Sequence, residues 1–214
     1  MGLEDKLTGT RMTKQTRPSY ETTVALYDQH IPYVSETATK IATQYISDVK
    51  PRRLVLGGDL IDNPGMSMFP QNADHKMDTR EEIDYAVQWL KGLLAKSPNT
   101  EVVVLAGNHD VARFERLKSD ESRALKNLRG MDFMSQLKAS MIEQEFPNKV
   151  VYAGNKYELG PGMMFVHGDG RMTPRSAQQT AQRSQASTSC TATSTLLVKP
   201  PVSGATVASI KLAP

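Results

Sequence analysis

Cysteine is nearly absent from this 214-residue chain. Cys190 stands alone, so no intrachain disulfide can form, and a reducing compartment is the default. No apolar run approaches ~18 residues, which excludes an ordinary membrane-spanning helix. The opening residues MGLEDKLTGT lack the apolar core of a signal peptide, and Lys6 stands where a myristoylation signal needs Ser or Thr. A cytoplasmic location is therefore expected. Neither sign of charge dominates: the formal net charge of +3 is too small to imply a nucleic-acid partner by itself. Lys6, Arg11, Lys14 and Arg17 make residues 1–20 basic, and this stretch reads as a solvated, mobile N-terminus. Two further absences concern the end of the chain. No histidine follows His167, and no Asp or Glu follows Asp169.

What is present describes a globular protein. Apolar residues make up 39% and charged residues 23%, ordinary values for a chain long enough to bury one sizeable core. TTVALY (22–27), RLVLGG (53–58) and EVVVLAG (101–107) read as buried strands. SETATKIATQYISDV (35–49) puts Ala38, Ile41, Ala42, Tyr45, Ile46 and Val49 on one helical stripe behind Ser35 as N-cap. TREEIDYAVQWLKGLLAK (79–96) shows a capping box, Thr79-x-x-Glu82, ahead of an amphipathic helix. Residues 111–145 read as helix in two pieces broken near Gly130. KVVY (149–152), KYEL (156–159) and GMMFVHG (162–168) read as three strands. Strands alternating with helices give an α/β fold.

The strongest strands end in polar clusters: DQH (28–30), GGDLID (57–62), AGNHD (106–110) and VHGD (166–169). Three of the four histidines, His30, His109 and His167, lie in them. Carboxylate, imidazole and amide oxygen are the ligand types that hold Mn, Fe or Zn with open positions. In α/β folds, ligands collect at the carboxyl ends of strands. Singly, each cluster is more often a surface accident, a tight turn, a helix cap or a satisfied core histidine. It is their occurrence together and in order that points to a metal site.

The series Asp28-x-His30, Gly58-Asp59-x-x-Asp62, Gly107-Asn108-His109-Asp110 and Val166-His167-Gly168 resembles the calcineurin-like metallophosphoesterase superfamily, and is most similar to small phage-encoded members. The resemblance covers about residues 22–169. It implies a four-layer α/β/β/α sandwich with a dinuclear metal site. Asp28 and His30 would then hold the first metal, Asp59 would bridge, and Asn108 and His167 would hold the second. His109 would be the general acid, with Asp110 orienting its ring and Asp62 supporting the loop from behind. The implied cofactors are two divalent ions, Mn2+ first, with Fe, Zn, Ni or Mg as alternatives. The implied substrate is a phosphate mono- or diester, such as a nucleotide or nucleic acid, in the host cytoplasm if the chain is phage-encoded. Two cations ~3.5–4 Å apart neutralise a phosphate ester and generate a bound hydroxide near neutral pH.

The family has a further Gly-His-x-His motif, which this chain lacks. By family spacing it should fall near STSCTATST (187–195). Of residues 176–196, 18 are Ser, Thr, Ala or Gln, a composition that buries too little to specify a fold. Two readings of 171–214 stay open: a disordered or linker-like tail, or a frame-shifted translation of another ending. Thr191–Thr195 can be encoded so that the neighbouring frame spells Gly-His-x-His. The expected division is a basic N-terminus (1–20), a metallophosphoesterase domain (21–170) and a poorly packed tail (171–214) that leaves a sheet edge exposed. Without the late histidines, a non-catalytic binding protein of the same fold is the alternative function. A nucleotide-binding loop at Gly57-Gly58 is disfavoured, because the GxGxxG and GxxxxGKS spacings are missing.

Overall fold

The computed structural model of this chain describes residues 21–67, 77–120, 129–159, 163–167, 188–190 and 205–211. The elements run β1 (Glu21–Tyr27), α1 (Glu36–Val49), β2 (Arg53–Leu56), a 3-10 turn (Pro64–Met66), α2 (Thr79–Leu94), β3 (Glu101–Leu105), α3 (Asn108–Asp120) and α4 (Phe133–Glu143). There follow β4 (Val150–Gly154), β5 (Lys156–Glu158), β6 (Met163–Val166), β7 (Thr188–Cys190) and β8 (Ala205–Lys211). The fold is α/β. Its main sheet is parallel, in the order β4-β3-β2-β1-β8, and a smaller sheet has the order β5-β6-β7.

The central strands have the apolar runs of a sheet covered on both faces. Alternation sends successive residues to opposite sides. Val24 and Leu26, with Leu54, Leu56, Val102 and Val104, join the larger core, which α1, α2 and α4 complete through Ile46, Ile83, Leu90, Phe133 and Leu137 among others. Ala25, Tyr27, Val55, Val103 and Leu105 face the other way and pack with Phe165 of β6. Helices, main sheet and small sheet therefore form three described layers.

Helix starts differ from the sequence expectation in one instructive place. Ser35 caps α1 as expected, its hydroxyl accepting from Ala38 N at 3.3 Å. Ile41, expected on the buried stripe, is 59% exposed, because it lies at the stripe's edge while Ala42 and Ile46 point inward. In α2 the cap is Asp78, paired reciprocally with Glu81, one residue before the expected Thr79-x-x-Glu82 box. That shift releases Thr79 and Glu82 to hold the loop after β2. Thr79 Oγ1 donates to Asn63 Oδ1 at 2.7 Å, and the buried Glu82 carboxylate accepts from Asn63 N at 2.7 Å.

The helical stretch expected from residue 111 begins at Asn108, directly after β3. It resumes at Phe133 beyond Gly130, whose φ of 81° is glycine's left-handed region. β4 extends the main parallel sheet, whereas β5 and β6 pair antiparallel in the second sheet.

The composition of 171–214 assigns it no strand, yet β7 and β8 lie within it. β8 runs parallel to β1 in continuous register from Glu21↔Ala205 to Tyr27↔Lys211. It covers the β1 edge that was expected to be open. The segment ATVASIK carries the β-branched Thr206, Val207 and Ile210, residue types that strands favour. The basic stretch 1–20 and the remainder of 171–214 lie outside the described residues, as do Met68 and Phe69. Among the described residues, no helix is long and apolar enough to cross a membrane.

Candidate metal centre

Two loops run side by side past the ends of β1 and β2. Asp28 N donates to Gly58 O (3.2 Å), His30 N to Asp59 O (3.0 Å), Ile31 N to Leu60 O (3.0 Å) and Asp62 N to Ile31 O (2.9 Å). Asp28, His30 and Asp59 have φ of 54°, 46° and 53°. Non-glycine residues seldom occupy this left-handed region, and such strain gathers at functional sites. The backbone ladder over-determines these conformations and turns the side chains toward one another.

Two groups of potential ligands result. Asp28, Asp59 and His167 each offer a ligand atom within 4.8 Å of the others, and so do His30, Asp62 and His109. Asp59 joins the two groups. Its Oδ2 lies 3.3 Å from His167 Nε2 on one side and 3.9 Å from His30 Nε2 on the other. Its Oδ1 accepts from His109 N at 2.8 Å, which ties the start of α3 to the β2 loop. Asn108 Oδ1 is 3.0 Å from His167 Nε2. His30 and His109 meet edge to face, with ring centroids 4.6 Å apart.

The five residues expected as ligands, Asp28, His30, Asp59, Asn108 and His167, are thus brought together from four loops. His109 stands beside them. Asp110 does not orient its ring. Asp110 is fully buried, and its carboxylate accepts from Gly107 N (3.0 Å), Leu60 N (3.3 Å) and Ile61 N (3.4 Å). The turn after β3 directs it back into the β2 loop, where it knits backbone to backbone. The contact on the ring comes from Asp62: His109 Nδ1 donates to the Asp62 carbonyl at 3.0 Å and lies 3.2 Å from its carboxylate. Asp62, expected only behind the loop, is a member of the group.

Sequence reasoning also missed how close Arg113 comes. It lies four residues beyond His109, hence on the same helix face. Its Nη1 donates to the Asp62 carbonyl, and its Nη2 is 3.4 Å from His109 Nε2. The i, i+4 spacing was the available signal.

The electrostatics follow from this crowding. Burial acts to raise Asp59, but the hydrogen bond and charge of His167 outweigh it and hold the carboxyl below its ordinary range. Contacts with His109 and His30 hold Asp62 far below that range. Burial acts to lower both His109 and His167. The Asp62 hydrogen bond and Asp59 charge for the first, and Asp59 for the second, carry both above an ordinary histidine. Burial, reinforced by the Asp59 charge, pushes Asp110 up to about 6 despite its amide donors.

The donor set fits divalent cations. His167 Nδ1 donates to Gly57 O at 3.0 Å, the outward hydrogen bond that metal-binding histidines commonly make. Its Nε2 then faces Asp59 Oδ2 and Asn108 Oδ1, both acceptors, so lone pairs converge. His30 Nδ1 is buried and, although 3.2 Å from Asp62 Oδ1, is not aligned as a hydrogen bond. Glycines make the approach possible. A Cβ on Gly107 would stand 2.1 Å from Asp59 Oδ1, and one on Gly58 would stand 2.6 Å from His167 Nδ1.

No protein-family model matches the chain, and no curated protein is significantly similar to it.

Proposed function

We propose that this chain is a metal-dependent phosphoesterase on a four-layer α/β/β/α framework, hydrolysing a phosphate mono- or diester. The observation that carries the reading is the position of Asp59, whose Oδ2 lies between His30 Nε2 and His167 Nε2 and joins two three-residue ligand groups. Asp28, Asp59, Asn108 and His167 would hold one divalent ion, and His30 and Asp62 would hold another with Asp59 shared between them. The pair departs from the expected split in adding Asp62 and in grouping Asp28 with His167. Two such ions, Mn2+ first, would neutralise phosphate charge and supply a nucleophile near neutral pH.

The remaining work falls to side chains. Asp62 accepts from His109 Nδ1, which fixes the ring, so the nitrogen that would meet a leaving-group oxygen is Nε2, on the edge that Arg113 Nη2 approaches at 3.4 Å. A proton donated from there contributes ~10²–10⁴-fold. Asp110 sets the spacing of the β2 and β3 loops by binding the amides of both.

The absence of any histidine after His167 favours a second reading, a binding protein that has lost part of its metal shell. Loss of supporting groups weakens metal affinity or activity by ~10–100-fold. One experiment separates the two. Calorimetric titration with Mn2+ is combined with hydrolysis of aryl phosphate mono- and diesters. The enzyme reading expects two bound ions, chelator-sensitive turnover, and a ~10²–10⁴-fold loss of kcat in His109→Ala at unchanged Mn2+ stoichiometry. Folded protein that takes up no Mn2+ at millimolar concentration and hydrolyses neither ester would defeat it.

A further inference from the structure

Arg113 is a cation without a carboxylate partner among the described residues, placed beside His109 and the Asp62 carbonyl. α3 carries it one turn beyond His109, and the guanidinium lies against two groups. Nη1 donates to the Asp62 carbonyl, and Nη2 is 3.4 Å from His109 Nε2. A guanidinium has five N–H donors in a planar fork. Apart from the Asp62 carbonyl and the approach to His109, no acceptor is in place for the remaining N–H groups among the described residues. A neighbouring cation, Arg116, is anchored differently, donating to the Met66 carbonyl on the 3-10 turn. Arg113 is also only partly buried, so a solute entering the centre can reach it.

The surroundings indicate what such a solute must be. The ring nitrogen beside Arg113 is the one that the proposed function gives to a leaving group, and the Asp62 and Asp59 carboxylates each lie within 3.3 Å of a histidine nitrogen. The group best matched to the His109 edge and the Arg113 fork together is an oxyanion, since both partners can carry positive charge. Tetrahedral phosphoryl oxygens match a planar guanidinium well, and such charge-assisted bonds are about twice as strong as neutral ones.

We propose that Arg113 is a substrate-binding residue that grips the non-bridging oxygens of the phosphoester beside His109. This rests on the phosphoesterase reading and adds to it a named residue for the phosphoryl group. No bond is made or broken at Arg113. It orients the phosphorus so that the leaving oxygen lies at His109 Nε2.

The test uses the full chain loaded with Mn2+. Inorganic phosphate is titrated calorimetrically into wild type, Arg113→Ala and Arg113→Lys, and aryl phosphate kinetics are run in parallel. Arg113→Ala should weaken phosphate about 10- to 100-fold and raise KM more than it lowers kcat, with Mn2+ affinity retained. Arg113→Lys, keeping the charge but not the fork, should recover only part of the loss. If Mn2+ affinity falls in step with phosphate affinity, Arg113 merely braces the Asp62 loop, and the assignment is overturned. Unaltered phosphate affinity in Arg113→Ala overturns it too, while wild-type turnover leaves the phosphoesterase reading standing. Failure of wild type to bind Mn2+ removes both.

Discussion

The two faces of the main sheet are covered in different ways. The helical face packs side chains from α1, α2, α3 and α4 against six alternate strand residues, all from one stretch of chain between Val24 and Met141. On the opposite face, among the described residues, Ala25, Tyr27, Val55, Val103 and Leu105 pack with the fully buried Phe165 and with the partly buried Tyr157, Leu159 and Met163. Thr23, which alternation places on this opposite face, has a fully buried hydroxyl with no hydrogen-bond partner among the described residues, and so does the amide of Gln29 at the end of β1. The ligand groups inherit this asymmetry. His30, Asp62 and His109 hang from loops anchored in the helical core. Asp28 and Asp59 need His167, which β6 delivers across the opposite face. One half of the candidate centre thus rests on the helical core and the other on the small sheet around Phe165.

The largest test of that contrast pairs two truncations. Phe165→Ala should cost about 3–5 kcal/mol and Leu90→Ala about 2–5 kcal/mol in urea unfolding. Only Phe165→Ala should also remove one of two Mn2+ equivalents, because only it unseats His167. If both variants keep two ions when folded, the division of the centre between the two faces is wrong.

A smaller effect concerns Asp110, which links the β2 and β3 loops from beneath. Its folded pKa, about 6, is raised above the ordinary 3.8. The folded state then holds the proton more tightly than the unfolded chain. In metal-free protein the group's contribution is therefore present below about pH 4 and is lost as pH rises to about 6. The loss amounts to about 3 kcal/mol. The stability of wild type minus that of Asp110→Asn, measured from pH 4 to pH 7, should decline by this amount. A flat difference would mean that the amides, not burial, control the carboxyl.

The smallest effect is a gain. Thr23→Val replaces a buried, unpaired hydroxyl by a methyl of similar shape, and should stabilise the chain by about 1 kcal/mol in the same assay. The matching replacement on the helical face, Val24→Thr, should destabilise by introducing the defect that Thr23 already has.

Much of this organisation was legible in the residues. β1, β2 and β3 stand where TTVALY, RLVLGG and EVVVLAG place them, and the break near Gly130 separates α3 from α4. The clusters at the strand ends could be read because four of them occur in order, each closing an apolar run, and hold three of the four histidines. Asp62 and Asp110 were read with their roles exchanged. Both lie within the same short motifs, and spacing alone does not say which carboxylate turns toward the ring and which toward the backbone. The Asp78 cap was missed because Asp78, Thr79, Glu81 and Glu82 offer two overlapping capping boxes. Only the pull of Asn63 on Thr79 and Glu82 selects between them.

Sequence by itself determined the alternation of strands and helices, the buried runs and the chemical types of the candidate ligands, since these depend on local periodicity and residue identity. Tertiary structure decided which ligands share a centre, that Asp62 meets His109, that Arg113 reaches the same ring, and that β8 closes the edge of β1. Each of these joins residues distant in the chain or selects among rotamers and registers of similar local energy. Only packing of the whole molecule discriminates among them.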